Sequence, residues 1–392
     1  MVAVKINHRG TETQSLKGCA SSARGPLGFL TSVSLCLCGS LFVRSMPRVS
    51  LPALARKAVL PLVMAGIFLL VAAAFFVAIG QPPLRTIANM VSFAFGDAYS
   101  LSETLVKTAP ILLCALATLL PARLGLVSVG ADGQLFMGAM FGTAAMLWFR
   151  DAPGIVMVPM LLLAGMAGGT VWGAVPGLLR GRLGVNETIT TLLLNYVAAL
   201  LVNALVYGPW KDPANLGWPA TAAFPPAAAL GGFFGTRVHV GLLLGIAAAL
   251  VMAVLLARSR WGLELAVLRS NVRVGRMIGL SFPRRTVVVM ALGGALGGLA
   301  GICEAAAIQG RLQPGVSVGY GLTGFLVAWL SGHRPLVAVP VALLVGGLIA
   351  AGDSLQLFAK VPAASVTILE GLLFATALAV GGIAARRRSA HG

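Results

Sequence analysis

At 392 residues, the chain is 58% hydrophobic and only 10% charged, and its mean hydropathy is +0.92. No water-soluble fold of this size hides so much apolar surface, which excludes intrinsic disorder, a secreted disulfide scaffold and an ordinary cytosolic enzyme. The formal charge of +18 would point to nucleic acid in a soluble protein, but its placement points elsewhere. Basic residues gather between Lys5 and Lys57, between Arg258 and Arg285, and at Arg386, Arg387 and Arg388. That is the positive-inside pattern of an all-α polytopic membrane protein, and no nucleic-acid partner is expected.

Residues 1–57 read as a basic cytoplasmic arm. Within it Gly25 to Val43 is an apolar run of borderline length. It is either a signal-like or peripheral segment or a piece that precedes a true start at Met46, in which case residues 1–45 fall outside the protein. Cys19, Cys36, Cys38, Cys114 and Cys303 are odd in number and lack zinc-like spacing, so neither disulfide nor structural metal is expected.

Residues 58–384 read as the membrane domain and 385–392 as a basic cytoplasmic tail. Crossing the hydrocarbon core takes about 20 apolar residues in a helix. Nearly charge-free windows suggest ten spans, near 58–80, 104–122, 124–149, 154–178, 187–208, 238–257, 286–308, 319–332, 335–352 and 362–384. With ten, Arg123, Arg180, Arg182, the Arg258–Arg285 cluster, Arg334 and the terminal arginines all fall on the side of both chain ends, the cytoplasm. Val127-Ser-Val-Gly130 and Val316-Ser-Val-Gly319 each open a Gly-rich span from opposite sides, the mark of an inverted repeat.

Chemistry-bearing motifs are sparse. No Gly-Lys dipeptide occurs, so there is no P-loop and the chain carries no ATPase of its own. Gly315-Val-Ser317-Val-Gly319 spells G-x-S-x-G but lacks the strand-turn-helix context of a nucleophile elbow. The chain is therefore expected to be no enzyme and to need no cofactor.

The telling residues are the polar ones in apolar surroundings. Asp132 and Gln134 follow a Gly-rich stretch that can unwind; Asp132 either caps a helix starting at Gly133 or serves a pathway. Asn186 is a candidate N-cap, with Glu187 in the first turn and Asn195 about two turns deeper, there to bond a neighbouring helix or to line a path. Glu304 closes the Gly-rich run 293–301. In the inner loop 258–285, Arg269, Arg273 and Arg276 fall at i, i+4 and i+7, beside an apolar strip of Leu265, Leu268, Val272 and Gly279. This spacing predicts one amphipathic helix, held by lipid headgroups or offered to a cytosolic partner. A stand-alone transporter would instead use Asp132, Glu187, Glu304 or Glu370 for a coupling proton or sodium ion.

Taken in order, these blocks resemble the permease subunits of ABC importers of the ribose, branched-chain amino acid and nucleoside group, nearest the nucleoside and simple-sugar branch. Val127-Ser-Val-Gly-Ala-Asp-Gly-Gln134 matches a block that usually carries Glu where Asp132 stands. Gly184-Val-Asn-Glu187 with Leu194-Asn195-Tyr196 matches the second. A third is partly kept in Gly262, Asn271 and Gly279, with Ala266 where Arg is usual, Arg269 where Gly is usual and Leu280 for Ile. The resemblance implies ten spans in an inverted repeat in the bacterial inner membrane and a coupling helix within 258–285, where Asn271 and Gly279 join the three arginines. It also implies a separate ATPase, a second permease chain, an extracytoplasmic binding protein and nucleoside or sugar substrates. Asp132, Gln134, Glu187, Asn195 and Glu304 are then the candidates for the translocation pathway.

Overall fold

The computed structural model describes residues 51–214, 217–233, 235–359, 362 and 364–389. Gly25 to Val43, Met46 and the first three cysteines lie outside them. The chain forms two compact units, Met1–Leu62 and Val63–Gly392; of the first, the described part is the start of helix α1.

Thirteen α-helices are described: α1 Leu51–Ala78, α2 Pro83–Phe95, α3 Ala98–Ala122, α4 Ala131–Trp148, α5 Gly154–Leu183, α6 Glu187–Tyr207, α7 Val240–Arg258, α8 Arg260–Ser270, α9 Val272–Met277, α10 Phe282–Glu304, α11 Tyr320–Leu330, α12 Pro335–Ala359 and α13 Ala364–Ser389. Among the described residues no strand forms beyond a bridge between Gly232 and His239. Each expected span coincides with a helix, but six are long and apolar enough to cross a membrane, or seven if the bent pair α1–α2 counts as one. The exceptions have physical causes. Asp132 and Gln134 burden the first turn of α4, α11 has eleven residues, about half the rise needed to cross a hydrocarbon core of about 30 Å, and the apolar part of α13 is the short stretch Ala364–Val380.

Helix α2 was not expected from the sequence. The chain turns through 115° between α1 and α2. Gly80, at φ 76°, closes α1 with its N–H on Val77 O and the next N–H, of Gln81, on Phe76 O, a left-handed C-terminal stop. Pro83 then opens α2, where its missing N–H costs nothing.

The core of Val63–Gly392 lies along α3 and α10. Helix α3 buries its whole middle, Thr108 to Pro121, against α10, α11 and α12. Helix α10 packs on α5 and α4 through glycine. A Cβ on Gly298 would strike the carbonyl of Gly165, one on Gly294 that of Gly169, and one on Gly301 that of Leu135 on α4. Glycines at four-residue steps on α5 (Gly165, Gly169, Gly173) thus let two helix backbones touch. In lipid, where burial itself gives helices little reason to associate, such contact is the main source of adhesion.

Candidate functional site

Both Val-Ser-Val-Gly quartets end on a helix N-cap, Gly130 for α4 and Gly319 for α11. Each follows a long helix and a stretch of irregular backbone. The order α3, break, α4, α5, α6 is repeated by α10, break, α11, α12, α13.

Irregular backbone at membrane depth must find its hydrogen bonds inside the protein. For the first break, α6 supplies them. Asn186 caps α6 with its side chain on the N–H groups of Thr188 and Ile189, which sets the register of the following residues. The Val127 N–H then donates to Glu187 Oε1 at 3.3 Å, Thr188 Oγ1 donates to Val127 O at 3.0 Å, and the Val129 N–H donates to Thr191 Oγ1 at 3.2 Å. Asn195 finishes the seam from both ends of its amide: Nδ2 donates to Val129 O at 2.8 Å and Oδ1 accepts the Gly133 N–H at 2.9 Å. Glu187 also pairs with Arg180 at 3.2 Å. Of the two roles open for Asn195, the structure shows the bond between elements. Thr188, in the first turn beside Glu187, belongs to the same edge, as does Thr191, whose spacing from Glu187 and Asn195 places it there.

Asp132 departs from the local expectation. Helix α4 begins at Ala131, and the Asp132 carboxylate caps a different helix: Oδ1 accepts Ser317 Oγ at 2.7 Å and the Gly321 N–H at 2.9 Å. The two N-termini lie so close that a Cβ on Gly321 would overlap the backbone of Asp132.

Two buried candidates keep an oxygen without a partner, Gln134 Oε1 and Glu304 Oε2. Gln134 lies among Gly130, Trp172, Pro176, Thr191 and Leu194, and Trp172 Nε1 is likewise unpartnered. Glu304 ends α10, where the backbone loosens into a π turn over Ala305–Gln309, a distortion often kept for function. Lys107 on the membrane-capable helix α3 lies 3.2 Å from Asp353 on α12 and 6.0 Å from the ring centre of Tyr320. Glu370 accepts Thr323 Oγ1 at 3.3 Å. Among the described residues no group of three or more His, Cys, Asp or Glu could hold a metal.

The single short amphipathic helix expected within the loop 258–285 is two helices. Asn271, extended at φ −157°, ψ 108°, ends α8 and restarts the chain as α9, its Oδ1 accepting the N–H groups of Arg273 and Val274. Arg269 therefore sits on α8, and Arg273 and Arg276 on α9, so the three share no continuous helical face. All three are exposed. Gly279, at φ 81°, lies just beyond the end of α9, and Glu264 pairs with Arg285 to tie α8 to the start of α10.

Residues 100–378 match the family described as "Branched-chain amino acid transport system / permease component". A glucose ABC transporter permease of Haloferax volcanii is 33% identical over 76% of this chain and 80% of its own length. A nucleoside ABC transporter permease of Lactococcus lactis is 28% identical over 74% and 82%, and a guanosine ABC transporter permease of Bacillus subtilis is 29% identical over 71% and 81%. These are transport subunits rather than enzymes, and such a permease works with a separate ATPase. With helices able to cross a membrane several times, a broken-helix core and this match, the chain is a multi-pass ABC transporter permease that belongs to the branched-chain amino acid transport permease family.

Proposed function

We propose that this permease imports nucleosides across a bacterial inner membrane, paired with a second permease chain and fed by an extracytoplasmic binding protein. The observation that carries the substrate class is that two of the three relatives above are named for nucleosides or guanosine. A second reading, import of a simple sugar by the same architecture, is favoured by the glucose permease, the most identical of the three. The stand-alone ion-coupled transporter does not fit an ABC permease family.

In this reading ten segments cross the membrane, as an inverted repeat with both chain ends in the cytoplasm, and the two helix breaks border the path. Asp132, Glu187 and Asn195 hold the breaks in shape, while Gln134 and Glu304, with oxygens to spare, face the passing substrate. The outward residues Leu192, Tyr196 and Leu200 of α6 are exposed and suit contact with lipid or the second permease. The loop 258–285 docks the ATPase through α9, with Asn271 and Gly279 fixing its two ends.

Uptake of labelled guanosine, other nucleosides and glucose into proteoliposomes holding the assembled transporter tests the substrate class. Nucleoside uptake that requires ATP and is not competed by glucose supports the first reading; the reverse selects the sugar importer. Charge reversal of Arg273 and Arg276 is expected to abolish ATPase association while the protein still inserts. Reporter fusions at Arg386 and in the 209–237 loop test the topology, which fails if that loop lies inside the cell.

A further inference from the structure

The two helix breaks share one sequence and are finished differently. Val127, Ser128, Val129 and Gly130 of the first correspond to Val316, Ser317, Val318 and Gly319 of the second. The helices they open touch at their starts, where Asp132 accepts the Gly321 N–H, so both breaks lie at one depth. Val129 is half-buried and both of its backbone groups are used, by Thr191 and Asn195 of α6. Its counterpart Val318 is 78% exposed, and among the described residues neither its N–H nor its C=O has a partner. Helix α13, which stands in the second series where α6 stands in the first, meets Thr323 through Glu370 instead. Bare irregular backbone is not tolerated against lipid; at membrane depth it is covered by protein or lines a water-filled path.

The chain leading to this edge keeps two further free acceptors. Gln309 Nε2 donates to Val316 O at 3.3 Å; a carbonyl only accepts, so the amide oxygen is the atom left over. Gln309 Oε1 and Glu304 Oε2 are both closed off from solvent without a partner, a state that costs the fold free energy. Around an α-helix, residues five apart stand about 140° from one another. The π turn over Ala305–Gln309, whose hydrogen bonds span five residues, instead sets Glu304 and Gln309 one above the other. Two acceptors on one side of a turn, with a donor for neither, suit a ligand that carries neighbouring O–H groups. We propose that the second break rather than the first meets the transported molecule, with Glu304 and Gln309 accepting from adjacent hydroxyls of its sugar ring and the Val318 edge open to the path. Nucleosides and simple sugars, the cargoes proposed above, both carry such hydroxyls, and the assignment rests on that reading.

The test uses the full chain, assembled with its ATPase and the second permease chain in proteoliposomes, with the five cysteines replaced by alanine. Uptake of guanosine and of glucose by this parent is measured first. Single cysteines are then placed at 318 and at 129 and reacted with a membrane-impermeant thiosulfonate. Val318→Cys should react about tenfold faster than Val129→Cys, and the imported cargo should slow it about tenfold, the worth of one or two hydrogen bonds. The matching deoxy compound, 2′,3′-dideoxyguanosine or 2-deoxyglucose, should protect less. Gln309→Met, which has no acceptor oxygen, should erase that difference, whereas Glu304→Gln, which keeps one, should preserve it; Gln309→Leu replaces Gln309→Met if the latter does not assemble. Equal reaction at 318 and 129 overturns the proposal, as does protection by the deoxy compound as strong as by the cargo. Reaction at 318 only when the second permease chain is left out overturns it in favour of a protein cover. Uptake of neither compound sinks the cargo reading and the hydroxyl contact with it, whereas an unreactive Val318→Cys in a transporter that imports either one sinks this proposal alone.

Discussion

The carboxylate of Asp132, in the first turn of α4, accepts the backbone N–H of Gly321, in the first turn of α11, 189 residues further along the chain. One acidic side chain at the start of α4 thus caps the start of α11. Both present unpaired N–H groups and the positive end of a helix dipole, so an anion between them is favourable even at membrane depth. The charge that looks costly in the sequence joins the starts of α4 and α11, one helix from each half of the element order.

Asp132→Asn retains an acceptor oxygen for Ser317 and Gly321 and loses only the charge, so a cost of about 1 kcal/mol or less is expected. Asp132→Ala leaves the buried Gly321 N–H without a partner, a penalty of about 1–3 kcal/mol. Melting of the purified protein in detergent should place Asn near the parent and Ala clearly below it. Equal losses would mean that the charge, not the hydrogen bond, does the fastening.

How far this was legible follows from the range of each interaction. The two Val-Ser-Val-Gly quartets mark both helix starts, because an N-cap is a local event. Asn186, four residues after Arg182, is legible as a cap for the same reason. The destination of the Asp132 carboxylate is not, since a local reading offers only its own helix. The arginine spacing at 269, 273 and 276 misled because it assumed unbroken helix, whereas Asn271 caps better than it continues one. Helix α2 is hidden in the sequence by Pro82 and Pro83, which cap and open it where a proline pair suggests a break. Lys107 and Asp353 belong to helices remote in sequence, and nothing local joins them.

Asn195 uses its amide twice on the first break, so its removal should register as structure before it registers as transport. Asn195→Ala orphans the Gly133 N–H and the Val129 carbonyl, at about 1–3 kcal/mol for a buried group left unpaired. Thr191→Val, which orphans the Val129 N–H alone, should cost less. Hydrogen exchange across 127–133 should quicken in both variants, more in the first. Unchanged exchange with reduced uptake would return Asn195 to a role in contacting substrate.

The glycine contact between α10 and α5 predicts a sharp positional contrast. A methyl at Gly298 would meet backbone of Gly165 and Gly169, which cannot rotate away, so Gly298→Ala should force the helices apart and leave little folded protein. Gly371 on α13 meets nothing within 4 Å, and Gly371→Ala should be neutral or slightly stabilising through helix propensity. Yield of monodisperse protein after detergent extraction reads both. A well-folded Gly298→Ala variant would refute backbone contact at this crossing.

Glu304 is 5% exposed and has one oxygen without a partner, which makes it a poor stabiliser. A buried carboxyl that lacks a full set of bonds is usually retained at a cost for something other than the fold. Glu304→Gln keeps the shape and removes the charge, so melting should stay level or rise. If the carboxylate contacts the passing substrate, uptake by the assembled transporter should fall about tenfold, equivalent to about 1.4 kcal/mol in a barrier. On the proposed reading the spectrum of accepted substrates should not change, because an importer fed by a binding protein needs only weak contacts along its path. Competition assays with several labelled nucleosides and sugars, normalised to assembled complex, separate rate from preference. A shifted preference in Glu304→Gln would show that the membrane subunit selects its substrate, and full uptake with normal melting would remove Glu304 from the path.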